Sequence, residues 1–261
     1  MRTHEGEQGD GNACHRRHDF FAINVGGTQA VIAGCKLHGV RRLVAVSSPS
    51  VVFDGRDQID APETVPYPTR FASVYSLTKK IGEDLVNAAN QGERLETVIL
   101  RPKAIFGPGD RALLPRLIGA ARRQRLPLIG DGRNAVDLTF VENVAHALVL
   151  AATAPAANGH TYTITNGAHP LLWEVIGDVL AELGLPPIRR HLSLDAALAL
   201  AAMLEAVATL TQREPLLTRY SVTILARTQT YNLRAAERDL DYAPVVSLAD
   251  GIARTLADLH P

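Results

Sequence analysis

Short apolar runs that alternate with helical segments constrain the fold of this chain more than any other feature. Residues 41–48 (RRLVAVSS) and 95–102 (LETVILRP) are apolar runs with charged or polar residues at their ends, a pattern typical of strands buried on both faces of a parallel sheet. Helical patterns at 20–38 and 73–90 precede these two runs. Because strands and helices alternate, the sequence predicts an α/β fold with a parallel sheet.

The rest of the chain continues this alternation, with more helix toward the C-terminus. Residues 49–72 are rich in Pro, Asp and Gly and are predicted to form a loop. Further strands are predicted at 136–141, at 160–165 and near 230–233, and further helices at 112–124, 171–184, 193–211 and 247–259. The polar residues 1–18 show neither periodicity and are predicted to be a disordered tail. Their histidines and cysteine match no zinc-ligand spacing, so no metal site is predicted.

The composition indicates an ordinary globular protein and excludes several functions. Lys+Arg and Asp+Glu are both 27, so the chain lacks the basic surplus typical of nucleic-acid binding. Two cysteines, Cys14 and Cys35, are too few for a disulfide framework, which favours a cytoplasmic location. Residues 192–210 are the most membrane-like stretch, but Asp195 and Glu205 interrupt them. We therefore expect an amphipathic helix there rather than a membrane span, with peripheral membrane contact left open. The first residues show no apolar signal-peptide region.

Tyr75 and Lys79 lie four residues apart in a predicted helix, so their side chains share one face. An ammonium beside a tyrosine lowers the tyrosine pKa from about 10, which suits a group that exchanges a proton with an alcohol or a carbonyl. Such pairs are common on exposed helices, so the surrounding sequence must show whether this pair belongs to a functional site. The preceding strand ends in Ser47 and Ser48, and ligands of open α/β sheets bind beyond the carboxyl ends of strands. A serine there could hold a substrate oxygen; simple strand termination is the alternative.

A series of motifs in a fixed order resembles the extended short-chain dehydrogenases/reductases. The resemblance is to their 3β-hydroxysteroid dehydrogenase/isomerase (sterol-4-carboxylate 3-dehydrogenase-like) branch, within the NAD-dependent epimerase/dehydratase superfamily. The matching segments are Asn24–Thr28, Gly39–Val44, Ser47–Gly55, Tyr75–Lys79, Leu100–Pro102, Gly107–Asp110, Leu113–Arg116, Ile129–Gly132, Val136–Asn143, Glu214–Tyr220 and Val246–Gly251. The last two resemble this branch more than the sugar epimerases. The resemblance covers about 19–261.

The resemblance implies a role for each matching site residue. Ser48 would bind and polarise the substrate oxygen, and Tyr75 would be the general acid/base. Lys79 would lower the Tyr75 pKa and bind the nicotinamide ribose of NAD. Ser47 and the segment from Pro102 to Ile105 would lie along the nicotinamide. Ser48 is preferred to Ser47 as the catalytic serine because it aligns with the second position of the family's serine pair.

The glycine-rich loop of the family has no counterpart ahead of Asn24. The family begins with a strand and a Gly-x-x-Gly-x-x-Gly turn that opens a helix, where the backbone approaches the dinucleotide pyrophosphate. Gly6, Gly9 and Gly11 have a different spacing and follow no apolar strand. We therefore expect an N-terminally truncated family member whose Rossmann-like sheet lacks its first βαβ units. The cofactor is expected to be NAD, with NADP left open.

The resemblance also implies an organisation and a function. A Rossmann-like catalytic region (19–165, with substrate-side insertions at about 103–135) would precede a smaller, mostly helical substrate-binding region (166–261). The expected reaction is NAD(P)-dependent oxidation of a secondary alcohol on a sterol-like or other apolar substrate. Two alternatives stay open. One is a nucleotide-sugar epimerase or dehydratase, in which Arg101 and Arg133 could contact the sugar nucleotide. The other is an inactive truncated fragment. A homodimer through helices 20–38 and 73–90 is common in the wider family.

Overall fold

The computed structural model describes residues 13–91, 94–110, 114–211 and 217–259. The helices are α1 (Ala13–Phe21), α2 (Gly27–Leu37), α3 (Val74–Ala89), α4 (Leu114–Arg122), α5 (Val141–Thr153), α6 (Leu172–Glu182), α7 (Leu194–Thr211), α8 (Arg219–Ala226), α9 (Arg234–Leu240) and α10 (Leu248–Leu259). The strands are β1 (Arg42–Val46), β2 (Gln58–Ala61), β3 (Glu96–Pro102), β4 (Ile105–Phe106), β5 (Leu128–Ile129), β6 (Thr139–Phe140), β7 (Thr161–Ile164), β8 (His191–Leu192) and β9 (Gln229–Tyr231).

The core sheet has three parallel strands in the order β1-β3-β7. Successive side chains of a strand point to opposite faces, and β3 is buried on both. Val98 and Leu100 pack into a cluster that includes Ala147 of α5. Ile99 points to the other face, into a cluster with Val86 of α3. Burial on both faces explains why β3 reads as a continuous apolar run, and the predicted parallel α/β fold is confirmed.

A second hydrophobic cluster joins the two segments expected to form the substrate side. Ile129 of β5 packs there with Trp173 of α6, Ala201 of α7 and Val222 of α8. Trp173 is 6% exposed, as befits the packing anchor of this cluster. The short parallel pairs β2–β9, β4–β6 and β5–β8 form three separate two-stranded sheets, and β5–β8 joins the two segments to each other. The division of the chain at residue 165 stays a prediction.

The first helices begin earlier than the sequence indicates. Helix α1 starts at Ala13, so the expectation of a disordered tail is corrected for 13–18, while 1–12 lie outside the described residues. A π-helical turn (Ala22–Gly26) joins α1 to α2. Asn24 in that turn donates from Nδ2 to Thr78 Oγ1 of α3 at 3.0 Å. By length and composition alone, the stretch 17–37 would be long and apolar enough to cross a membrane.

Several short elements escape the sequence patterns. The predicted loop at 49–72 contains β2, which pairs with β9, and the expected return strand near 230–233 is this β9 rather than a member of the core sheet. The strand predicted at 136–141 shortens to β6. Helices α8 and α9 are additional. These strands and helices are two to eight residues long, which is too short for a helical or strand periodicity to be visible in the sequence.

Candidate active site

The predicted serines lie where β1 ends, at the edge of the sheet that also faces the first turns of helix α3. Ser47 donates its backbone N–H to Leu100 O at 2.7 Å, so the pairing continues one residue past β1. Ser48 then leaves the sheet in an extended conformation and caps a short 3-10 turn, accepting a hydrogen bond from Ser50 N at 3.2 Å. The hydroxyl of Ser48 therefore lies beyond the strand end, where ligands of such sheets bind.

Helix α3 carries Tyr75 in its first turn. The Ser73 hydroxyl caps the helix by accepting from Ser76 N at 3.1 Å, and this cap sets where the helical turn begins. Burial raises the pKa of Tyr75, and an interaction with the Ser48 side chain partly offsets that rise. Phe20 contacts the ring edge-on, with centroids 6.1 Å apart. The structure thus brings Ser48 and Tyr75 together.

Lys79 follows one turn later and points at the end of β1. Its Nζ donates to the Val46 carbonyl at 3.0 Å. Burial lowers the pKa of Lys79, while the negative charge of Glu83 opposes that shift. The groups that shift the Tyr75 pKa are its buried surroundings and Ser48, so a lowering of that pKa by Lys79 stays a prediction.

A groove of about 440 Å³ runs along the outer side of β1, between α2 and α3. Its lining includes Val46, Ser47 and Lys79. Ser47 is 7% exposed, and its Oγ has no hydrogen-bond partner among the described residues. An unpartnered buried hydroxyl beside an ammonium fits the ribose and carboxamide of a nicotinamide. Pro102 is buried at the end of β3, and the side chain of Ile105 is exposed beyond it. The described residues fit the nicotinamide end of a dinucleotide and supply no glycine-rich pyrophosphate loop.

A buried ion pair fixes α3 against the central strand. Arg101 donates from Nε to Glu83 Oε1 at 2.8 Å and from Nη2 to Glu83 Oε2 at 2.6 Å. Tyr67 donates to Glu83 Oε2 at 2.7 Å and accepts from Arg101 Nη2 at 3.0 Å. Arg101 is thus part of a buried structural ion pair, and its contact with a sugar nucleotide, which the epimerase alternative would allow, stays a prediction. Arg133 is exposed, in a turn where its N–H donates to Asp131.

Two further candidates are Tyr220, which lies outside the predicted site residues, and Lys103, which lies within the segment Pro102–Ile105 but is not itself assigned a role. Tyr220 of α8 lies beside Tyr75: burial raises its pKa, the Tyr75 charge adds to that rise, and the Ser76 and Ser50 side chains oppose it. Lys103, directly after β3, donates from Nζ to Gln229 Oε1 at 2.6 Å. Lysine occurs only four times in the chain, and that scarcity was the one sequence signal that could have singled out Lys103. Residues 214–216 of the Glu214–Tyr220 motif lie outside the described residues.

Proteins that are similar in sequence to this chain include reductases and dehydrogenases. A 2-alkyl-3-oxoalkanoate reductase from Stenotrophomonas maltophilia (strain K279a) is 40% identical over 91% of this chain and 74% of that protein. The 3beta-hydroxysteroid-dehydrogenase/decarboxylase isoform 2 of Arabidopsis thaliana is 40% identical over 90% of this chain, which spans 44% of that protein. A decarboxylating sterol-4-alpha-carboxylate 3-dehydrogenase from Schizosaccharomyces pombe is 35% identical over 91% of this chain and 72% of that protein.

Solved structures show the same fold. The crystal structure of gox2253 superposes with a TM-score of 0.74 at 20% identity, covering 99% of this chain and 76% of that one. MoeE5 in complex with UDP-glucose and NAD gives a TM-score of 0.70 at 25% identity, covering 97% and 76%. The parallel sheet and the named relatives define a class of enzyme, the dehydrogenases and reductases with a Rossmann-like fold. The sequence model of the 3-beta hydroxysteroid dehydrogenase/isomerase family matches residues 9–194, and the chain belongs to that family.

Proposed function

We propose that this chain transfers a hydride between NAD and the carbinol carbon of an apolar secondary alcohol, with Ser48, Tyr75 and Lys79 as its catalytic residues. The observation that carries the proposal is the position of these residues at the carboxyl end of β1, where the Ser48 side chain interacts with Tyr75 and Lys79 donates to the Val46 carbonyl. Substrate binding there would place a carbinol oxygen between the Ser48 and Tyr75 hydroxyls. Short-chain dehydrogenase chemistry needs that placement, because the oxygen must lose or gain a proton as the carbon exchanges hydride.

Tyr75 would handle the proton. Because burial raises its pKa, the phenol is neutral at physiological pH and ready to donate to a carbonyl in the reductive direction. In the oxidative direction the Tyr75 oxygen takes the alcohol proton, and a nearby ammonium would stabilise the phenolate that precedes this step. Lys79 is the cation one helical turn away. Ser48 would donate to the substrate oxygen and fix its orientation.

The nicotinamide end of NAD would lie in the groove beside β1. Ser47 and Lys79 would hold it through the unpartnered Ser47 hydroxyl and the Lys79 ammonium, with Pro102–Ile105 along the ring. When bound, NAD supplies the carbon that accepts or gives the hydride. NADP is the second candidate, since no described residue faces the part of the cofactor that differs.

The substrate would be a 3-hydroxy or 3-oxo carboxylate on an apolar body. The relatives named above share this chemistry. A 2-alkyl-3-oxoalkanoate has its oxygen on the carbon next to the one bearing the carboxylate, and a sterol-4-alpha-carboxylate oxidised at carbon 3 has the same arrangement. An alkyl or sterol body, rather than a sugar, follows from the same two relatives.

Calorimetric titration of the chain with NAD and NADH is the first test, because every version of the proposal needs a dinucleotide. Binding through the nicotinamide end alone is expected to be weak; tight binding would contradict the expected absence of the pyrophosphate loop, and no binding would favour an inactive fragment. Turnover is then compared among a 2-alkyl-3-hydroxyalkanoate, a sterol-4-carboxylate and UDP-glucose. Turnover of UDP-glucose alone would instead favour a sugar epimerase or dehydratase.

The Tyr75→Phe variant tests the assigned chemistry. Removing the proton donor is expected to lower kcat by about 10²- to 10⁴-fold while leaving dinucleotide affinity unchanged. Tyr162→Phe is the matched control, because the Tyr162 hydroxyl donates to Asp239 at 3.2 Å, away from the site. Equal activity of Tyr75→Phe and Tyr162→Phe would remove Tyr75 from the mechanism.

A further inference from the structure

Lys103 occupies a fixed position at the carboxyl end of the central strand. Its backbone N–H donates to Ile164 O of β7 at 3.1 Å, and its carbonyl accepts from Thr139 Oγ1 at 2.5 Å. The next residue, Ala104, has a φ of +44°, a left-handed conformation that alanine rarely adopts. Backbone strain of this kind is concentrated at functional sites. The backbone therefore holds the Lys103 side chain in one direction.

The Lys103 ammonium is held in place without a neutralising partner. It donates to Gln229 Oε1 at 2.6 Å and lies 6.0 Å from the centroid of the Tyr231 ring. In the described parts of the chain, no carboxylate oxygen lies within ion-pair distance of it. Asp137 is the nearest acidic group that acts on it, and Asp137 already pairs with His169 and accepts from Tyr231 N. Gln229 contributes a neutral oxygen only, so the cation keeps the capacity to bind an anion.

The position of Lys103 is close to the proposed catalytic residues. Val46 is in register with Leu100, and Ser47 N still donates to Leu100 O before Ser48 leaves the sheet. Lys103 directly follows the end of β3, so it lies at the same carboxyl edge of the sheet as Ser48. On the other side of Lys103, its partner Gln229 donates from Nε2 to Ile224 O of α8 at 3.3 Å, and the same helix carries Tyr220. Lys103 therefore lies between the carboxyl end of the central strand and the helix that carries Tyr220.

We propose that Lys103 binds the carboxylate of the substrate and thereby selects 3-hydroxy and 3-oxo acids over uncharged alcohols. The inference rests on the proposed function for its substrate class, and it adds a specificity-determining residue to that site. In a 3-oxo acid, one carbon separates the carboxylate carbon from the carbonyl carbon. A substrate with its oxygen at Ser48 and Tyr75 would therefore have its carboxylate a few ångströms away, at the same edge of the sheet as Lys103.

The titration of Lys103 gives this proposal a distinctive pH dependence. Burial lowers the Lys103 pKa to about 8, although the charge of Asp137 opposes the shift. The other titratable groups facing it are His169, beyond Asp137, and Tyr231, whose pKa burial raises far above neutrality. The ammonium is charged at neutral pH and loses its proton just above pH 8. Carboxylate affinity should fall over that range, whereas affinity for an ester should stay level.

Binding of a carboxylic acid and its ester tests the proposal without requiring turnover. The full chain, with NADH present, is titrated calorimetrically with 2-butyloctanoate and with its methyl ester. Lys103→Met should weaken binding of the acid by about 10- to 100-fold and leave the ester unchanged, because a charge-assisted hydrogen bond is lost. Lys103→Arg should keep the acid affinity and hold it level past pH 10, since arginine stays protonated. Lys36→Met, at an exposed lysine of α2, is the control.

Two results would overturn the proposal: equal binding of acid and ester by the unmodified chain, or an acid affinity that Lys103→Met leaves intact. Thermal unfolding of each variant separates misfolding from lost recognition, and the arginine variant retains the charge if the methionine variant fails to fold. Acid-selective binding that depends on Lys103, in a chain that turns over no alcohol, would support the carboxylate site and refute the proposed reaction.

Discussion

Removing the Glu83 charge should destabilise the protein more than any other single change on α3. Glu83 is 1% and Arg101 4% exposed in their side chains, and each carboxylate oxygen accepts from the guanidinium. Glu83→Gln leaves that guanidinium buried without a counter-charge, which costs about 3–5 kcal/mol. The remaining amide oxygen still accepts one hydrogen bond, so we expect the lower end, about 3 kcal/mol. Urea unfolding followed by circular dichroism measures this, and thermal unfolding should shift down by about 6–12 °C.

Two further variants make the test specific to the Glu83–Arg101 ion pair. Asp84→Asn removes the next carboxylate of the same helix, which pairs with Lys80 in the exposed position, and it should cost less than about 1 kcal/mol. The double variant Glu83→Met/Arg101→Met removes both charges and should recover most of the lost stability, because no isolated charge stays buried. The reasoning would be refuted if Glu83→Gln cost no more than Asp84→Asn, or if the double variant were less stable than the single one.

Two further predictions concern packing and pH. Gly251→Ala should destabilise the protein by about 1–3 kcal/mol in urea unfolding, because the new Cβ would lie 2.9 Å from Phe140 Cδ2. Gly177→Ala, in a helix with nothing within 4 Å of the added Cβ, should stabilise it by about 0.5–1 kcal/mol. Stabilisation by both substitutions would refute the contact between residue 251 and Phe140. Folding lowers the Lys103 pKa from 10.5 to about 8. Between pH 8 and pH 10.5 the unfolded chain therefore binds a proton that the folded chain has released. The free energy of unfolding should consequently rise with pH over this range, by at most roughly 3 kcal/mol. Lys103→Met should flatten that rise in unfolding curves measured across pH 8–10.5, and an unchanged slope would contradict the burial of the ammonium.

The sequence allowed the sheet to be predicted because its strands are buried on both faces. β1 and β3 then read as unbroken apolar runs, and α3 has both a serine cap and a long amphipathic pattern. Ser47, Ser48, Tyr75 and Lys79 could be placed from these elements alone, since the residues after a parallel strand and those near a helix start share one edge of the sheet. Their catalytic roles stay predictions.

The remaining features depend on contacts between distant segments, which local patterns do not encode. The ion pair of Arg101 joins residues 18 positions apart, and Lys103 meets Gln229 across 126 positions. Strand β2 pairs with β9 through four and three residues, too few to show alternation. Tyr220 reaches the site from α8 because the segments that form the second cluster fold back over the sheet. In the sequence, that tyrosine stands at the end of the Glu214–Tyr220 motif, which assigns it no role in the site.

The turn between α1 and α2 has a mechanical consequence for the proposed site. Asn24 bonds Thr78, the residue before Lys79, and Gly82 approaches the same turn so closely that an added Cβ would lie 3.4 Å from Asn24 O. The first helical segment therefore braces the catalytic helix at the level of its lysine. Local opening of that first segment would therefore loosen the turn of α3 that carries Lys79.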